Sequence, residues 1–257
     1  MHQVDSPPGA SIRFGRSRHV DLFYEVLSHL DLGKDAASLY IERPHDPVWA
    51  KTIRDAYIRE LPRSGVYQFL PLRCADLKAL VARLQHDQLT CARGMVQAMS
   101  ELSSNHAQRW QQDARKDALR IGAICNEISP GLISLRQALW AHIGQSPWPL
   151  TVFHTKAIGR HGRGIGFEKQ RAIAVSLEMP AAYALCQIFH EETHVVSDRR
   201  IVDREKRRTY PGASGYDIHQ KLEKEAIALG GRVIKETLPS LWGAYKQWME
   251  SWRVHAS

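Results

Sequence analysis

Apolar residues recur every three or four positions through most of the first half of the chain, a spacing that predicts helices. The first such stripe covers residues 20–30. Asp46-Pro47 is a typical helix start, because proline suits the first helical position. Further helices are predicted at 77–84, at 89–127 with a break near 103–105, and at 133–143. Residues 1–18, which are polar and contain two prolines, are predicted to form a loose arm.

The pattern changes at 146–149, where two prolines flank a tryptophan and end the helical half. Residues 150–158 are rich in strand-forming residues, and apolar positions alternate along 171–177, so both segments predict strands. The glycine-rich segment between them, 159–166, is predicted to be a hairpin or a lid loop.

The rest of the second half is predicted to be helical. One helix begins at Pro180 and runs to about residue 197, and another runs from residue 214 or 217 to 237. A closing helix carries an apolar and aromatic stripe typical of core packing: Leu241, Tyr245, Trp248 and Trp252. Together these elements predict an α+β fold, with a mostly helical region at 1–145 and a unit at 146–257 in which a small β-sheet packs beside a helix.

The composition is that of an ordinary globular protein, with 44% hydrophobic and 24% charged residues among 257. The net charge of +8 permits contact with nucleic acid, but no nucleic-acid motif accompanies it. No apolar run approaches the roughly 18 residues of a membrane span, and residues 1–18 lack the apolar core of a signal peptide. The four cysteines form no Cys-x-x-Cys pair and are expected to be free thiols. We expect a cytoplasmic protein without a membrane partner.

One short motif carries recognisable chemistry. His190, Glu191 and His194 form the pattern His-Glu-x-x-His inside an apolar helical run. Residues four apart lie one above the other on a helix, so both imidazoles can bind one Zn²⁺ ion. Glu191, one residue along, can reach a water molecule bound to that metal and act as a general base. The motif therefore predicts a catalytic zinc site.

Two histidines do not complete such a site, because catalytic zinc usually has three protein ligands. The helix near 214–237 offers two carboxylates, Glu223 and Glu225. At about 100° per residue, Glu223 falls between two groups of apolar positions, whereas Glu225 falls on the polar face. A carboxylate on a buried stripe requires a partner, which zinc or a nearby arginine can provide. We expect Glu223 to be the third ligand, with Glu225 as the alternative.

The two helices resemble those of the gluzincin metallopeptidases, in which a glutamate motif follows His-Glu-x-x-His on a later helix. Within that group, residues 171–239 look most like the small ImmA/IrrE-type peptidases: a strand, a proline-started motif helix, a variable loop and a Glu-x-Glu-Ala helix. The resemblance implies a zinc peptidase that acts on protein or peptide substrates, with Glu191 as base and three metal ligands: His190, His194 and Glu223. Glu192 departs from the family pattern, because zincins usually have an uncharged residue there.

Peptide hydrolysis also needs a donor for the developing oxyanion. The candidates are Tyr210, Tyr216 and His219. We favour His219, which lies one turn before Glu223 on the same helical face. Asp198, four residues after His194, can orient an imidazole from outside the ligand shell. The strand at 171–177 is expected to pair with an extended peptide substrate.

A second class of function also fits the sequence. The chain can be a non-catalytic regulatory protein that keeps a zincin-like fold and uses its basic surface to hold a protein partner or nucleic acid. Zinc content and the effect of Glu191→Gln separate the two hypotheses, because only the peptidase requires the base.

Overall fold

The computed structural model describes residues 1–4, 11–30, 32, 47–61, 64–159, 162–206 and 215–253, without the side chains of 198–206, 215–221 and 251–253. The chain there is mostly helical. Its α-helices are α1 (Arg18–Ser28), α2 (Val48–Arg59), α3 (Leu77–His86), α4 (Thr90–Ala141), α5 (Ala181–Lys206), α6 (Gly215–Thr237) and α7 (Trp242–Arg253). Two 3-10 helices, Ser64–Arg73 and Pro239–Leu241, connect some of them. None of the helices in this part of the chain is both long and apolar enough to cross a membrane.

One small mixed sheet completes the fold. Its strands are β1 (His2–Val4), β2 (Ile12–Gly15), β3 (Leu150–Thr155), β4 (Arg163–Phe167) and β5 (Gln170–Ser176). Their order across the sheet is β1-β2-β3-β5-β4. The three inner strands are parallel, and the two edge strands run antiparallel to their neighbours. The predicted α+β class, mostly helical with a small sheet, is confirmed.

Residues 1–18 do not form the predicted loose arm, because two segments of this region are strands of the sheet. Ile12 of β2 pairs with Leu150 of β3, and both side chains are almost fully buried. A four-residue strand is too short for its alternation to be distinguished from chance, and its stability comes from a partner far along the chain. The sheet thus includes strands from both sides of residue 146, where the chain was predicted to divide. That division itself stays a prediction.

Helix α4 replaces the two helices predicted at 89–127 and 133–143. It runs without interruption for 52 residues, through the predicted break at 103–105 and through Pro130. Proline lacks the N–H that would bond to the carbonyl four residues earlier. Pro130 and Asn126, which carries that carbonyl, are both exposed, so water can take the missing partner's place. Burial along the length of the helix outweighs these local signals.

The two faces of the sheet pack against different groups of helices. Ile173 and Val175 of β5 belong to the apolar cluster that contains α5, α6, α7 and the second half of α4. Ala172 and Ala174 belong to the cluster that contains α1, α2, α3 and the first half of α4. Neighbouring strand residues point to opposite faces, so β5 separates the two clusters. The motif helix α5 lies on the first of these faces.

The glycine-rich segment 159–166 is not a simple hairpin between the two predicted strands. Those strands, β3 and β5, are parallel neighbours. Part of the segment instead forms β4, which pairs antiparallel with β5. The hairpin turn lies just beyond it at Glu168-Lys169, where both residues have positive φ, as the type I′ hairpin turn requires.

Candidate metal centre

Helix α5 holds the motif in place through its apolar side. Ile188 and Phe189 are fully buried and share an apolar cluster with Ile173 of β5. The helix begins directly after Pro180, as predicted, and continues past the predicted end near residue 197 to Lys206. Because one side of the helix is fixed in the core, His190 and His194 meet α6 on the other side.

Three side chains from α5 and α6 converge. The Nε2 atoms of His190 and His194 are 3.2 Å apart. One carboxylate oxygen of Glu223 lies 3.3 Å from His190 Nε2, and its other oxygen lies 3.4 Å from His194 Nε2. Each residue offers one ligand atom, and these atoms all lie within 4.8 Å of one another. Among the described residues, no other group of three such side chains is arranged to hold a metal ion.

The spacing of these atoms fits zinc. Ligand atoms in a tetrahedral site with bonds of about 2.0–2.1 Å lie about 3.3–3.4 Å from one another. The two Nε2 atoms are 3.2 Å apart, and each lies 3.3 or 3.4 Å from a different oxygen of Glu223, so every one of these contacts is close to that edge length. Two imidazole nitrogens and one carboxylate oxygen form a donor set known from catalytic zinc sites, where the fourth corner takes water or substrate.

Glu223, and not Glu225, is the carboxylate that lies beside the two imidazoles. Glu225 is exposed two residues further along α6. Burial raises the pKa of Glu223, but its hydrogen bonds with His190 and His194 outweigh burial and hold that pKa well below the ordinary value. The carboxyl group is therefore ionised at neutral pH, the state in which a carboxylate binds a metal ion.

The closing helix α7 covers one side of the cluster. The ring of Trp248 lies edge-on to the ring of His190, with 5.5 Å between the centroids. The side chain of Trp248 is almost fully buried, and that of His190 is 4% exposed. His194 and Glu223 are more open, at 19% and 25%. The cluster is therefore open to solvent on the side of His194 and Glu223.

The predicted base, Glu191, lies against the edge strand of the sheet. A Cβ atom added to Gly164 of β4 would be 2.8 Å from Glu191 Oε2, and one added to Gly162 would be 3.0 Å from Glu191 Cγ. Glycines allow such a close approach between a strand and a neighbouring side chain. The carboxylate of Glu191 thus lies between the motif helix and β4.

Glu192 has a structural role that sequence analysis missed. Its carboxylate is 0% exposed and bridges two guanidinium groups, with Arg136 Nε at 2.8 Å and Arg171 Nε at 3.0 Å. Trp140 Nε1 also donates to it at 3.3 Å. Burial raises the pKa of Glu192, but the two arginines outweigh it and lower that pKa. The only signal in the sequence was a charge at an ordinarily uncharged position of the motif.

The side chains of the remaining site candidates are not among those that the structure describes. Tyr210 falls between the described segments. Asp198 belongs to α5, and Tyr216 and His219 belong to α6, but their side chains are not among those described. The oxyanion donor expected at His219 and the imidazole partner expected at Asp198 therefore stay predictions.

The strand predicted to pair with a substrate is not free to do so. β5, which corresponds to the predicted strand at 171–177, is hydrogen-bonded to β3 on one side and to β4 on the other. The prediction was wrong because the segment 159–166 was not recognised as containing a strand. β4 is the edge strand on this side of the sheet.

No family model matches the chain, and neither a curated protein nor a solved structure matches it. The functional argument therefore depends on the residues of the site and on their geometry.

Proposed function

We propose that this protein is a zinc-dependent peptidase of the gluzincin type, similar to the ImmA/IrrE-type peptidases over residues 171–239. The observation that carries the proposal is the convergence of His190, His194 and Glu223, in which the two imidazoles are 3.2 Å apart and each lies within 3.4 Å of a carboxylate oxygen of Glu223. A chance His-Glu-x-x-His match gives no reason for a carboxylate from another helix to lie beside both imidazoles, as Glu223 does.

A zinc ion held by these residues would act as a Lewis acid that polarises a peptide carbonyl and acidifies water. Glu191 follows His190 directly in the chain and is only partly buried. In the proposed reaction it takes a proton from the attacking water and passes it to the nitrogen of the leaving amine. The peptide C–N bond breaks, and the products are a carboxylate and an amine.

The exposed position of β4 at the edge of the sheet is an argument for a peptide substrate. Its outer edge has no neighbouring strand among the described residues, so an extended peptide can add to the sheet there. Glu191 lies beside Gly164 of β4, which supports a role for its carboxylate at the same edge. We propose that the substrate is a protein or peptide bound in extended form along β4.

We also propose that the protein acts in the cytoplasm. Cys91, Cys125 and Cys186 are buried free thiols, and Cys74 is a partly buried one. Free thiols of this kind are typical of a reducing compartment.

Three variants test the proposal. Purified wild-type protein should hold about one equivalent of zinc after dialysis, and His190→Ala should lose it. Glu191→Gln should keep the zinc and lose cleavage of a proteome-derived peptide library, measured by mass spectrometry of new termini. Glu225→Gln, at an exposed position on the same helix as Glu223, should retain both properties.

Two results would overturn the proposal. If the wild-type protein binds no zinc at micromolar concentration, the proposed metal site is wrong. If zinc-loaded Glu191→Gln cleaves peptides as the wild type does, Glu191 is not the base, and a non-catalytic binding protein becomes the better hypothesis.

A further inference from the structure

Gln187 lies one helical turn before Glu191 on the motif helix α5, and the proposed reaction assigns it no role. The residue is 0% exposed, although glutamine is mostly found at the protein surface. Burying a side-chain amide is unfavourable unless its oxygen and its nitrogen both form hydrogen bonds. In Gln187 only one of these two atoms does.

The oxygen of the Gln187 amide has a partner. The backbone N–H of Ser176, the last residue of β5, donates to Gln187 Oε1 at 3.2 Å. A backbone N–H can only donate, so the amide atom that meets it must be the oxygen. This hydrogen bond therefore determines the orientation of the amide, and Nε2 takes the other position.

The nitrogen of the same amide lacks a partner. Nε2 carries two N–H donors, yet it forms no hydrogen bond within the part of the chain that the structure describes. Nearly all buried polar groups are hydrogen-bonded, so an exception requires an explanation. Because Nε2 has almost no accessible surface, no water molecule fits beside it. The acceptor must therefore be a neighbouring group of the protein that moves towards it.

The side chain of Glu191 is the neighbouring acceptor that is able to move. A Cβ atom added to Gly162 would be 3.2 Å from Gln187 Cγ and 3.0 Å from Glu191 Cγ, so both side chains lie against the same glycine. Helical side chains lean towards the start of the helix, which brings Glu191 over the turn that contains Gln187. The backbone oxygen of Ala174 is equally close to this glycine, but it is fixed in β5.

A second pair of the same residue types shows that this spacing permits the hydrogen bond. On α4, Gln97 Nε2 donates to Glu101 Oε1 at 2.9 Å. Gln97 and Glu101 are four residues apart, as Gln187 and Glu191 are. A glutamine amide on a helix of this protein thus reaches the carboxylate one turn later.

We propose that Gln187 is a positioning residue for Glu191, an inference that rests on the proposed peptidase function. Gln187 Nε2 donates to the Glu191 carboxylate once the metal centre is occupied, because catalytic hydrogen bonds are often long in the free protein and tighten in the complex. Ser176 orients the amide, and the amide orients the base. A base that is misplaced by about 1 Å can lose a factor of about 100 in rate.

Gln187→Met tests this role, because it removes the amide and keeps the length of the side chain. In zinc-loaded protein it should lower kcat about tenfold or more, while KM and zinc affinity stay within about threefold of the wild type and circular dichroism shows an intact fold. Gln97→Met, which removes the matching exposed amide, should cleave as the wild type does.

A second background separates positioning from a general structural effect. Glu191→Asp keeps a weak base on a shorter side chain, whose carboxylate lies beyond the reach of Gln187. Gln187→Met should therefore lower kcat by about twofold or less in Glu191→Asp, since contacts that act through one another are not additive. Structural damage by Gln187→Met would instead lower kcat by the same factor in both backgrounds.

NMR of ¹⁵N-labelled protein follows the Gln187 amide without any measurement of activity. Its NH₂ resonances are the pair that is absent from the spectrum of Gln187→Met. Zinc together with acetohydroxamate, a small chelator that takes the open corner of the metal, should shift these resonances downfield in the wild type, as a hydrogen bond to a carboxylate does. The same addition should leave them unshifted in Glu191→Ala.

Any of three results would overturn the role of Gln187. The first is a kcat of Gln187→Met within about threefold of the wild type. The second is an equal loss of kcat in the wild-type and Glu191→Asp backgrounds. The third is an equal NMR shift in the wild type and in Glu191→Ala, which would indicate another acceptor, such as the Ala174 oxygen. Failure of the proposed function is distinguishable, because zinc binding or cleavage would then be missing from the wild type itself.

Discussion

Arg136 Nε donates a hydrogen bond to Glu192 Oε2 at 2.8 Å, between two side chains that are 1% and 0% exposed. Arg171 Nε donates to the other carboxylate oxygen at 3.0 Å, and Arg171 Nη2 donates to the backbone oxygen of Glu191 at 2.6 Å. Glu192 thus connects the motif helix α5 to α4 and to β5 through one carboxylate, and we call this group of ion pairs the Glu192 anchor. Because Glu192 lies between Glu191 and His194, the Glu192 anchor holds α5 in position at the motif residues.

Loss of the Glu192 charge should strongly destabilise the protein. Glu192→Gln leaves two guanidinium groups in the core without a carboxylate, and removal of one partner from a buried ion pair costs about 3–5 kcal/mol. We expect a loss of that size in the free energy of unfolding, measured by urea denaturation. Glu225→Gln is the control and should change stability by less than about 0.5 kcal/mol. A Glu192→Gln protein within 1 kcal/mol of the wild type would show that the anchor is dispensable.

Zinc should stabilise the folded chain and alter the fluorescence of Trp248. A ligand that binds only the folded state at 100 times its Kd adds about 2.7 kcal/mol. The ring of Trp248 contacts His190, so metal binding should change its emission. We expect a higher melting temperature with zinc than with a chelator in the wild type, and no difference in His194→Ala. Trp248→Phe should keep the thermal gain and lose most of the fluorescence change. If the wild type melted at the same temperature with and without zinc, the prediction that this cluster binds zinc would be wrong.

The three clustered side chains of the candidate site could be predicted because helical spacing alone shows which residues share a face. His190 and His194 are one helical turn apart, and the position of Glu223 relative to the apolar stripes of α6 singled it out from Glu225. Helical periodicity is strict over such distances. The sequence could therefore indicate which side chains share a face before their partner was known.

The remaining features depend on pairings that no local pattern encodes. Ile12 pairs with Leu150 far along the chain, and Arg136 meets Glu192 across 56 residues. Short strands such as β2 are stable only in a sheet, and β4 contains two glycines that favour a loop when read alone. Tertiary contacts overrode these local signals, which is why the edge strand and the Glu192 anchor could not be predicted.

Acid should destabilise the protein through His154. Burial lowers the pKa of this histidine to about 4, whereas an unfolded chain has the ordinary value near 6.5. Between these values the unfolded state binds a proton that the folded state does not, so stability falls as pH drops from about 6.5 to 4. The loss is at most about 3.5 kcal/mol, since one unit of pKa corresponds to about 1.4 kcal/mol.

The measurement for His154 is the difference in unfolding free energy between pH 7 and pH 4.5. His154→Leu should show a smaller difference than the wild type, although its stability at pH 7 can change as well. His86→Gln, at an exposed position, should show the wild-type difference. An unchanged acid dependence in His154→Leu would mean that other groups cause it.

Gly164 should control the position of Glu191. An alanine Cβ there would lie 2.8 Å from Glu191 Oε2 and 3.0 Å from Glu191 Cβ, closer than ordinary van der Waals contact. Overpacking of this kind costs about 1–3 kcal/mol. The carboxylate must move to relieve it, so Gly164→Ala should lower the turnover of the proposed peptidase while zinc affinity stays unchanged. Gly166→Ala, where the nearest atoms would be 3.4 Å away, is the matched control on the same strand.

A double-mutant cycle tests this relationship without relying on activity. In a Glu191→Ala background the carboxylate is gone but the Cβ atom of residue 191 stays, so Gly164→Ala should keep part of its cost in unfolding free energy and lose about 0.5–1 kcal/mol of it relative to the wild type. Contacts in one cluster commonly show coupling of about 0.5–3 kcal/mol, whereas independent sites are additive. Gly166→Ala should cost the same in both backgrounds, because its nearest neighbours are Arg171 and Trp148. If the unfolding free energies of Gly164→Ala and Glu191→Ala were also additive, Gly164 would not determine where the carboxylate lies. The destabilisation by Gly164→Ala would then come from strand β4 itself.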